Sequence, residues 1–227
     1  MLYLIGVGAG SRDCITLGAI NAIEKADIVF VPVKKSGEKS TALEIIKKAV
    51  KISPEKITEL EFPMTRDSEK LKKAHTVAAE KIISALDKNK TAALITLGDV
   101  SVYSTASYIG KIVRQEGFDV ETISAVPSFV AAANAADISL AEGDETVIII
   151  PAANMEKIEE YLDDFDTLVI MKAGGKIKEL SALLKPRNLE NNAVVCSDIG
   201  METQKISRLT DEGGYGYFTT VILRKNI

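Results

Sequence analysis

The chain has 227 residues, of which 46% are hydrophobic and 26% charged, and its formal net charge is −4. This length predicts one large domain or two small ones with a substantial core. The acidic balance argues against nucleic-acid binding, and no apolar run reaches the roughly 18 residues that span a bilayer. Two cysteines, Cys14 and Cys196, and a single histidine, His75, favour neither disulfides nor a zinc site. We therefore expect a cytoplasmic protein that holds no metal ion and has no membrane or nucleic-acid partner.

The first half of the chain alternates apolar runs with segments whose apolar residues recur every three to four positions. The predicted strands are Leu2–Val7, Ile28–Val33, Ile57–Phe62 and Thr91–Leu97. The predicted helices are Leu17–Ala26, Thr41–Val50, a long helix between Asp67 and about Asn89, and Ala106–Glu116. Thr41 is the expected N-cap of the second helix, with Glu44 completing a capping box.

The second half has fewer helices. Its predicted strands are Val120–Ile123, Thr146–Ile150, Thr167–Lys172, Ala193–Ser197 and Phe218–Arg224. Its predicted helices are Phe129–Ala136, Met155–Asp163 and Lys178–Leu184. The closing strand indicates a mixed second sheet. We therefore expect two α/β domains, residues 1–118 and 119–227, with the active-site cleft between them.

The segment Leu94–Tyr103 is the most informative part of the sequence. An apolar, β-prone run stops at Gly98 and Asp99, and a helix-like segment rich in small residues begins just beyond. In α/β proteins, ligands bind at the carboxyl ends of parallel strands. The segment therefore predicts a ligand site that contains Asp99 and Tyr103. Capping of the next helix is the structural alternative for Asp99.

A glycine-rich loop, Gly6-Val7-Gly8-Ala9-Gly10-Ser11, follows the first predicted strand. It superficially resembles a dinucleotide-binding fingerprint, but the third glycine is missing. The second strand ends in Pro32-Val33-Lys34 rather than in the acidic residue that such a site requires. A nicotinamide-dependent oxidoreductase is therefore the alternative from a different functional class, and a tight structural turn is the alternative without a ligand.

Three segments together resemble the motifs of the tetrapyrrole (corrin/porphyrin) methyltransferases. The first is the glycine-rich loop with the residues that follow it, and the second is Gly98–Tyr103, which resembles the family's G-D-P-x-x-Y motif. The third is Val126–Phe129, a turn that leads into an alanine-rich helix. The motifs occur in family order over essentially the whole chain, although Ala9 and Val100 stand where the family has proline.

Further segments resemble the branch of the family that methylates C20 of precorrin-2 or of cobalt-factor II in vitamin B12 synthesis. These are Phe62–Asp67, Leu140–Glu145 and Tyr217–Val221. A methyltransferase for another tetrapyrrole carbon, one for the diphthamide precursor, and a non-catalytic binding protein remain alternatives. The sequence does not distinguish the cobalt-containing acceptor from the metal-free one.

The resemblance implies S-adenosyl-L-methionine as the cofactor, held in the cleft between the two domains. The cofactor-binding residues that it implies are Ala9, Gly98, Asp99, Val102, Pro127, Ser128, Met171 and Lys172. Asp99 and Tyr103 are the catalytic candidates, which would orient the substrate or stabilise charge on its ring nitrogens. Either Asp99 or a water molecule would accept the proton that leaves C20.

The tetrapyrrole carries many carboxylates, so basic groups should line its binding site. Arg12, beside the first loop, and Arg66, in the Pro-Met-Thr-Arg-Asp segment, are the candidates, because arginine can bind carboxylates in a bidentate manner. Solvated loop charges are the alternative for both. The family resemblance also implies a homodimer.

Overall fold

The computed structural model describes residues 1–65 and 67–225, and the chain forms two compact units, Met1–Pro127 and Ser128–Ile227. The first unit extends past the domain boundary predicted at 118–119. The reason is that strand Val120–Ile123, which we expected in the second domain, pairs in parallel with strand Leu2–Gly6. The fifth strand thereby completes the sheet of the first unit.

The first unit is a five-stranded parallel sheet with helices on both faces. Its strands are β1 (Leu2–Gly6), β2 (Ile28–Val33), β3 (Ile57–Glu61), β4 (Ala92–Thr96) and β5 (Val120–Ile123). Its helices are α1 (Leu17–Lys25), α2 (Thr41–Ile46), α3 (Ser68–Leu86) and α4 (Thr105–Gln115). The strand order is β3-β2-β4-β1-β5.

The two faces of this sheet carry separate hydrophobic cores. On one face, Ile82 of α3 and Ile109 of α4 pack with Leu4 of β1. On the other face, Ile23 of α1 and Ile46 of α2 pack with the next β1 residue, Ile5. Because β1 and β4 are neighbours and the helices after them lie on opposite faces, the carboxyl ends of these two strands form the topological switch point where α/β proteins bind ligands.

The second unit contains a mixed sheet, as predicted. Its strands are β6 (Val147–Pro151), β7 (Thr167–Met171), β8 (Ala193–Ser197), β9 (Lys205–Arg208) and β10 (Thr219–Arg224), and its helices are α5 (Ser128–Ala135), α6 (Met155–Glu160) and α7 (Ile177–Leu184). The order is β6-β7-β10-β8-β9, with only the β6–β7 pair parallel. Helices α6 and α7 pack on one face and α5 on the other.

Strand β9 was not among the predicted elements. Its sequence, Lys-Ile-Ser-Arg, is too polar and too short to give an apolar run, and all four residues are at least partly exposed. It is an edge strand that pairs only with β8. Edge strands rich in charge are common because they discourage pairing with other chains. Sequence periodicity therefore gave no signal for this strand.

Helices α2 and α4 are capped by residues other than the predicted cap Thr41 and the alternative cap Asp99. The N-cap of α2 is Ser40, whose hydroxyl accepts a hydrogen bond from the Leu43 amide at 3.4 Å, so the predicted cap by Thr41 is wrong. The N-cap of α4 is Ser104, whose hydroxyl accepts from the Ala106 amide at 3.2 Å, so Asp99 is not a helix cap.

The cysteines and the histidine occupy ordinary packed positions. Cys196 is buried in the core beside α5, and burial raises the pKa of its thiol to about 11. Cys14 is half-buried. His75 of α3 stacks on the ring of Tyr108 of α4, with 5.3 Å between ring centroids. Within residues 1–65 and 67–225 we find no cluster of potential metal ligands and no helix with the length and apolarity to span a bilayer.

The position of the α2 cap can be tested with two neighbouring substitutions. We expect Ser40→Ala to lower the free energy of unfolding by about 1 kcal/mol, because the Leu43 amide loses its side-chain acceptor. Thr41→Ala should have a much smaller effect, since Thr41 lies inside the helix. Urea unfolding followed by circular dichroism measures both, and an equal loss for the two variants would contradict the assignment.

Candidate functional site

The loops that follow β1 and β4 are joined by backbone hydrogen bonds at the switch point. The Gly8 amide donates to the Gly98 carbonyl at 3.2 Å, and the Gly98 amide donates to the Gly8 carbonyl at 2.9 Å. Both glycines have a positive φ, +75° for Gly8 and +72° for Gly98, a conformation that glycine adopts without steric cost. The predicted ligand-binding loops of the first unit therefore form one rigid layer at the carboxyl edge of the sheet.

Close packing explains two of the glycines in the first loop. A Cβ atom on Gly6 would lie 2.7 Å from the Gly98 carbonyl oxygen and 2.8 Å from the Ala125 Cβ. A Cβ atom on Gly8 would lie 2.5 Å from the Cys14 Cβ. These two glycines let the loops contact one another. The geometry therefore favours a tight structural turn, rather than a pyrophosphate-binding loop, as the interpretation of this segment.

Gly98 differs from the other two glycines because its outer side is open. A Cβ atom built on Gly98 meets nothing within 4 Å. The backbone at this position is therefore accessible to a ligand, while its amide and carbonyl hold it in place through Gly8. A fixed backbone with an open outer side gives a ligand a defined surface to lie against.

Asp99 connects the β4 loop to the segment that follows β5. One carboxylate oxygen accepts hydrogen bonds from the Ser101 amide at 2.8 Å and from the Ser101 hydroxyl at 2.5 Å. The other accepts from the Ala125 amide at 2.8 Å. The side chain is predicted to be catalytic, but these contacts favour a role in holding the two loops together.

The protonation of Asp99 fits this positioning role. Burial raises the pKa of the carboxyl, but the hydrogen bonds from Ser101 and Ala125 outweigh burial and hold the pKa below the ordinary value of 3.8. The carboxylate is thus ionised near neutral pH, and each oxygen already accepts a hydrogen bond from the protein. A carboxylate with a lowered pKa is a weak proton acceptor, since general bases work best with a pKa near the working pH.

The rest of the β4 loop is fixed by the core on one side and exposed on the other. Val100, which occupies the position of the family proline, is only 3% exposed and packs into the core beneath α3 and α4. Tyr103 has a φ of +49°, which is unusual for a residue with a side chain, and it is 47% exposed. Such strained positions cost of order 1 kcal/mol and cluster at functional sites. Tyr103 therefore stays a good candidate for ligand contact.

The first loop and the segment after β5 carry three further candidates, Ala9, Arg12 and Pro127. The Thr16 hydroxyl donates to the Ser124 carbonyl at 3.1 Å, which ties the start of α1 to the turn that ends at Pro127. Ala9 is only 5% exposed, so it offers little surface to a ligand. Arg12 is exposed in a single 3₁₀ turn after the glycine-rich loop. Arg66 lies outside the described residues.

Met171 and Lys172 lie at the carboxyl end of β7 in the second unit, and Ser128 begins α5. Lys172 has a φ of +58°, and its Nζ lies 5.7 Å from the centre of the Tyr217 ring, within cation–π range. Tyr217 is 51% exposed. Tyr217 is not among the site residues that the sequence predicts, although its aromatic side chain after a glycine-rich segment is a signal for such a role.

We expect Asp99→Asn to lower the free energy of unfolding by about 2 kcal/mol near neutral pH, because an amide cannot accept hydrogen bonds at both ends and leaves a buried donor unpaired. Since the pKa of Asp99 is lowered in the folded state, its contribution is present above the ordinary value of 3.8 and is lost as the pH falls below it. The difference between wild type and variant should therefore shrink below about pH 4. Urea titrations at several pH values measure it, and a difference that is independent of pH would contradict this account.

The parallel sheet with glycine loops at its switch point, followed by a second unit with a mixed sheet, defines a two-domain α/β protein with a candidate ligand site. The family model described as Tetrapyrrole (Corrin/Porphyrin) Methylases matches residues 1–212. The chain belongs to this family, which confirms the resemblance seen in its motifs.

Two relatives match over most of their length. A Methanocaldococcus jannaschii protein named probable cobalt-precorrin-2 C(20)-methyltransferase is 42% identical over 182 residues, covering 80% of this chain and 76% of the relative. A Salmonella typhimurium protein named cobalt-precorrin-2 C(20)-methyltransferase is 27% identical over 229 residues, covering 99% of this chain and 96% of the relative.

Solved structures share the fold at lower sequence identity. A cobalt precorrin-4 methyltransferase superposes with a TM-score of 0.76 at 20% identity, covering 98% of this chain and 94% of that one. A uroporphyrin-III C-methyltransferase from Thermus thermophilus, solved in complex with S-adenyl homocysteine, has a TM-score of 0.70 at 13% identity, covering 99% and 97%. The predicted fold class, two α/β sheets of which the second is mixed, is thereby confirmed.

Proposed function

We propose that this protein transfers a methyl group from S-adenosyl-L-methionine to C20 of a precorrin-2-type tetrapyrrole in cobalamin biosynthesis. The observation that carries the proposal is the 42% identity to a relative named as a probable C(20)-methyltransferase. That relative is named for the cobalt-containing substrate, so we propose cobalt-factor II as the preferred acceptor. A relative named for methylation of another position, C11, is 26% identical over 70% of the chain, which favours C20.

The residues of the first unit fit the proposed cofactor. Gly98 offers an open, fixed backbone, and Tyr103 of the same loop offers an exposed aromatic ring. When bound, S-adenosyl-L-methionine supplies an activated methyl group on a positively charged sulfur. We assign its binding in the first unit to the backbone of Gly98, Asp99 and Val102 and to Pro127. The buried Ala9 is a weaker candidate.

The second unit contributes the remaining proposed contacts, Ser128, Met171 and Lys172. Lys172 lies against Tyr217 at the end of β7, and its left-handed backbone turns the chain directly after the strand. The uroporphyrin-III C-methyltransferase of similar fold, solved in complex with S-adenyl homocysteine, supports a cofactor of this kind. The pairing of Lys172 with an exposed tyrosine suits contact with a ligand that has both aromatic and anionic parts.

The main task of the protein in this reaction is alignment. Methyl transfer to carbon requires the acceptor atom to lie in line with the methyl group and its leaving group, and orientation alone can supply several kcal/mol. The hydrogen bonds from Ser101 and Ala125 to Asp99 fix the loop that carries Gly98 and Tyr103. We assign the proton that leaves C20 to water, because both carboxylate oxygens of Asp99 already accept hydrogen bonds from the protein.

We propose that Arg12 binds a carboxylate of the tetrapyrrole, and we keep Arg66 as a second candidate. Arg12 is exposed one residue after Ser11, whose hydroxyl accepts a hydrogen bond from the Asp13 amide at 3.2 Å. The turn is therefore ordered while the guanidinium stays accessible.

We also propose that the protein is a cytoplasmic homodimer. The exposed apolar side chains of Leu17 and Met64 support a protein interface. Light scattering measures the mass of the particle and so tests whether it is a dimer.

The direct test of the proposed function uses purified protein with S-adenosyl-L-methionine and either cobalt-factor II or precorrin-2. We expect a product heavier by one methyl group, with the methyl located at C20 by NMR, and faster turnover of cobalt-factor II. Cofactor uptake without product would favour a binding protein. Calorimetric binding of NADH without binding of S-adenosyl-L-methionine would favour the oxidoreductase alternative and overturn the proposal.

The role of Gly98 can be separated from backbone strain with a matched control. Gly98→Ala should lower the free energy of unfolding by about 1 kcal/mol because of its positive φ, and it should weaken S-adenosyl-L-methionine binding by placing a methyl group on the open side of the loop. Gly117, at the end of α4, also has a positive φ (+86°) and open space at its Cβ position. Gly117→Ala should cost similar stability and leave cofactor binding unchanged, as calorimetry would show.

The role of Arg12 predicts a selective effect on the acceptor. Arg12→Ala should raise the KM for the tetrapyrrole several-fold, by loss of a charge-assisted hydrogen bond, without changing the Kd for S-adenosyl-L-methionine. Arg114→Ala is the control, because it removes the same charge from the last turn of α4. There Arg114 donates a hydrogen bond to the Val120 carbonyl. An equal change in KM for both variants would show that only net charge matters.

A further inference from the structure

We propose that Gly174 is a positioning residue for the proposed methyl transfer. The absence of a side chain at Gly174 allows the turn after β7 to lie directly on the Gly213–Tyr217 segment, and this contact sets the position of Tyr217 against Lys172. The inference rests on the proposed function, in which Lys172 belongs to the ligand site.

The approach between the two segments is closer than any side chain permits. A Cβ atom on Gly174 would lie 1.9 Å from the Gly216 carbonyl oxygen, 2.8 Å from the Gly216 carbonyl carbon and 2.8 Å from the Tyr215 carbonyl oxygen. All three are backbone atoms, so no side-chain rotation can relieve the overlap. Gly174 does not have a positive φ, so glycine is required here for space rather than for backbone conformation.

The segment that faces Gly174 is held in place by hydrogen bonds. The Thr219 hydroxyl donates to the Gly216 carbonyl at 2.7 Å, and the Ala173 amide donates to the Thr219 carbonyl at 2.8 Å. The Thr219 hydroxyl also lies 3.0 Å from that of Ser197 on β8. Displacement of Gly216 would therefore disrupt contacts that anchor the start of β10.

The residues on either side of this contact are those that would meet a ligand. Lys172 lies two residues before Gly174, and Tyr217 directly follows Gly216. Their side chains meet at 5.7 Å, from Nζ to ring centre. Phe218 packs edge-on against Tyr217, with 5.5 Å between centroids. A shift of the Gly216 backbone would move Tyr217 relative to Lys172.

The adjacent glycine provides a matched control. Gly175 lies in the same short 3₁₀ turn, yet a Cβ atom there meets nothing within 4 Å. Both positions have non-positive φ, so Gly→Ala changes the conformational freedom of the unfolded chain equally at the two sites. Any difference between the two alanine variants reports the contact with Gly216.

The test compares Gly174→Ala with Gly175→Ala in the methyl-transfer assay and by near-ultraviolet circular dichroism. The chain has no tryptophan, so that spectrum reports chiefly on tyrosine surroundings. For Gly174→Ala we expect a changed tyrosine signal and a kcat lowered about tenfold or more at saturating substrates, with far-ultraviolet circular dichroism still showing a folded protein. Gly175→Ala should match wild type in both measurements.

A second pair of variants keeps the proposal testable if Gly174→Ala does not fold. Thr219→Val removes the hydroxyl that holds Gly216 and should lower kcat with a changed tyrosine signal, whereas Thr219→Ser should retain both properties. A Gly174→Ala protein with wild-type kcat and spectrum, or one whose activity loss equals its unfolded fraction, would overturn the proposal. If wild type has no methyltransferase activity, the proposed function fails, whereas the spectral comparison still tests the contact.

Discussion

The carboxylate of Asp99 links the loops on which the candidate site of the first unit depends. A parallel sheet leaves the loops after its strands without ladder hydrogen bonds, so their positions must be fixed by other contacts. Asp99 follows β4, yet it accepts hydrogen bonds from Ser101 in its own loop and from Ala125 beyond β5. The backbone pairing of Gly8 with Gly98 adds the loop after β1. The Asp99 carboxylate and this backbone bridge together hold three segments that are distant in sequence.

In both units, the candidate site residues lie on segments whose backbones are in direct contact. In the first unit, Gly6 allows the Gly98 carbonyl to approach, and in the second unit Gly174 allows the Gly216 carbonyl to approach. In both units, the approaching segment also carries an exposed tyrosine, Tyr103 or Tyr217. Backbone contacts of this kind are stiffer than contacts between long side chains, which suits a reaction that depends on alignment.

The departures from the family motif have physical explanations in the first unit. Val100 replaces a proline, and its burial beneath α3 and α4 fixes the loop by apolar packing instead of by a ring. Ala9 replaces another proline and is also buried. The loops therefore keep defined positions without the prolines. What distinguishes Asp99 from a catalytic base is its hydrogen bonding, since its burial alone would have raised its pKa.

The sequence by itself determined the family, the order of most strands and helices and the mixed second sheet, because these follow from motif order, apolar periodicity and the closing strand. It also placed Gly98, Asp99 and Tyr103 just after a strand, because the apolar run stops at Gly98. It did not determine that β5 joins the first sheet, that Ser40 caps α2, or that Asp99 braces two loops. Those features depend on contacts between residues far apart in the chain or on competition between neighbouring caps. Only the tertiary structure decided them, because local patterns carry no information about which distant backbone a side chain will meet.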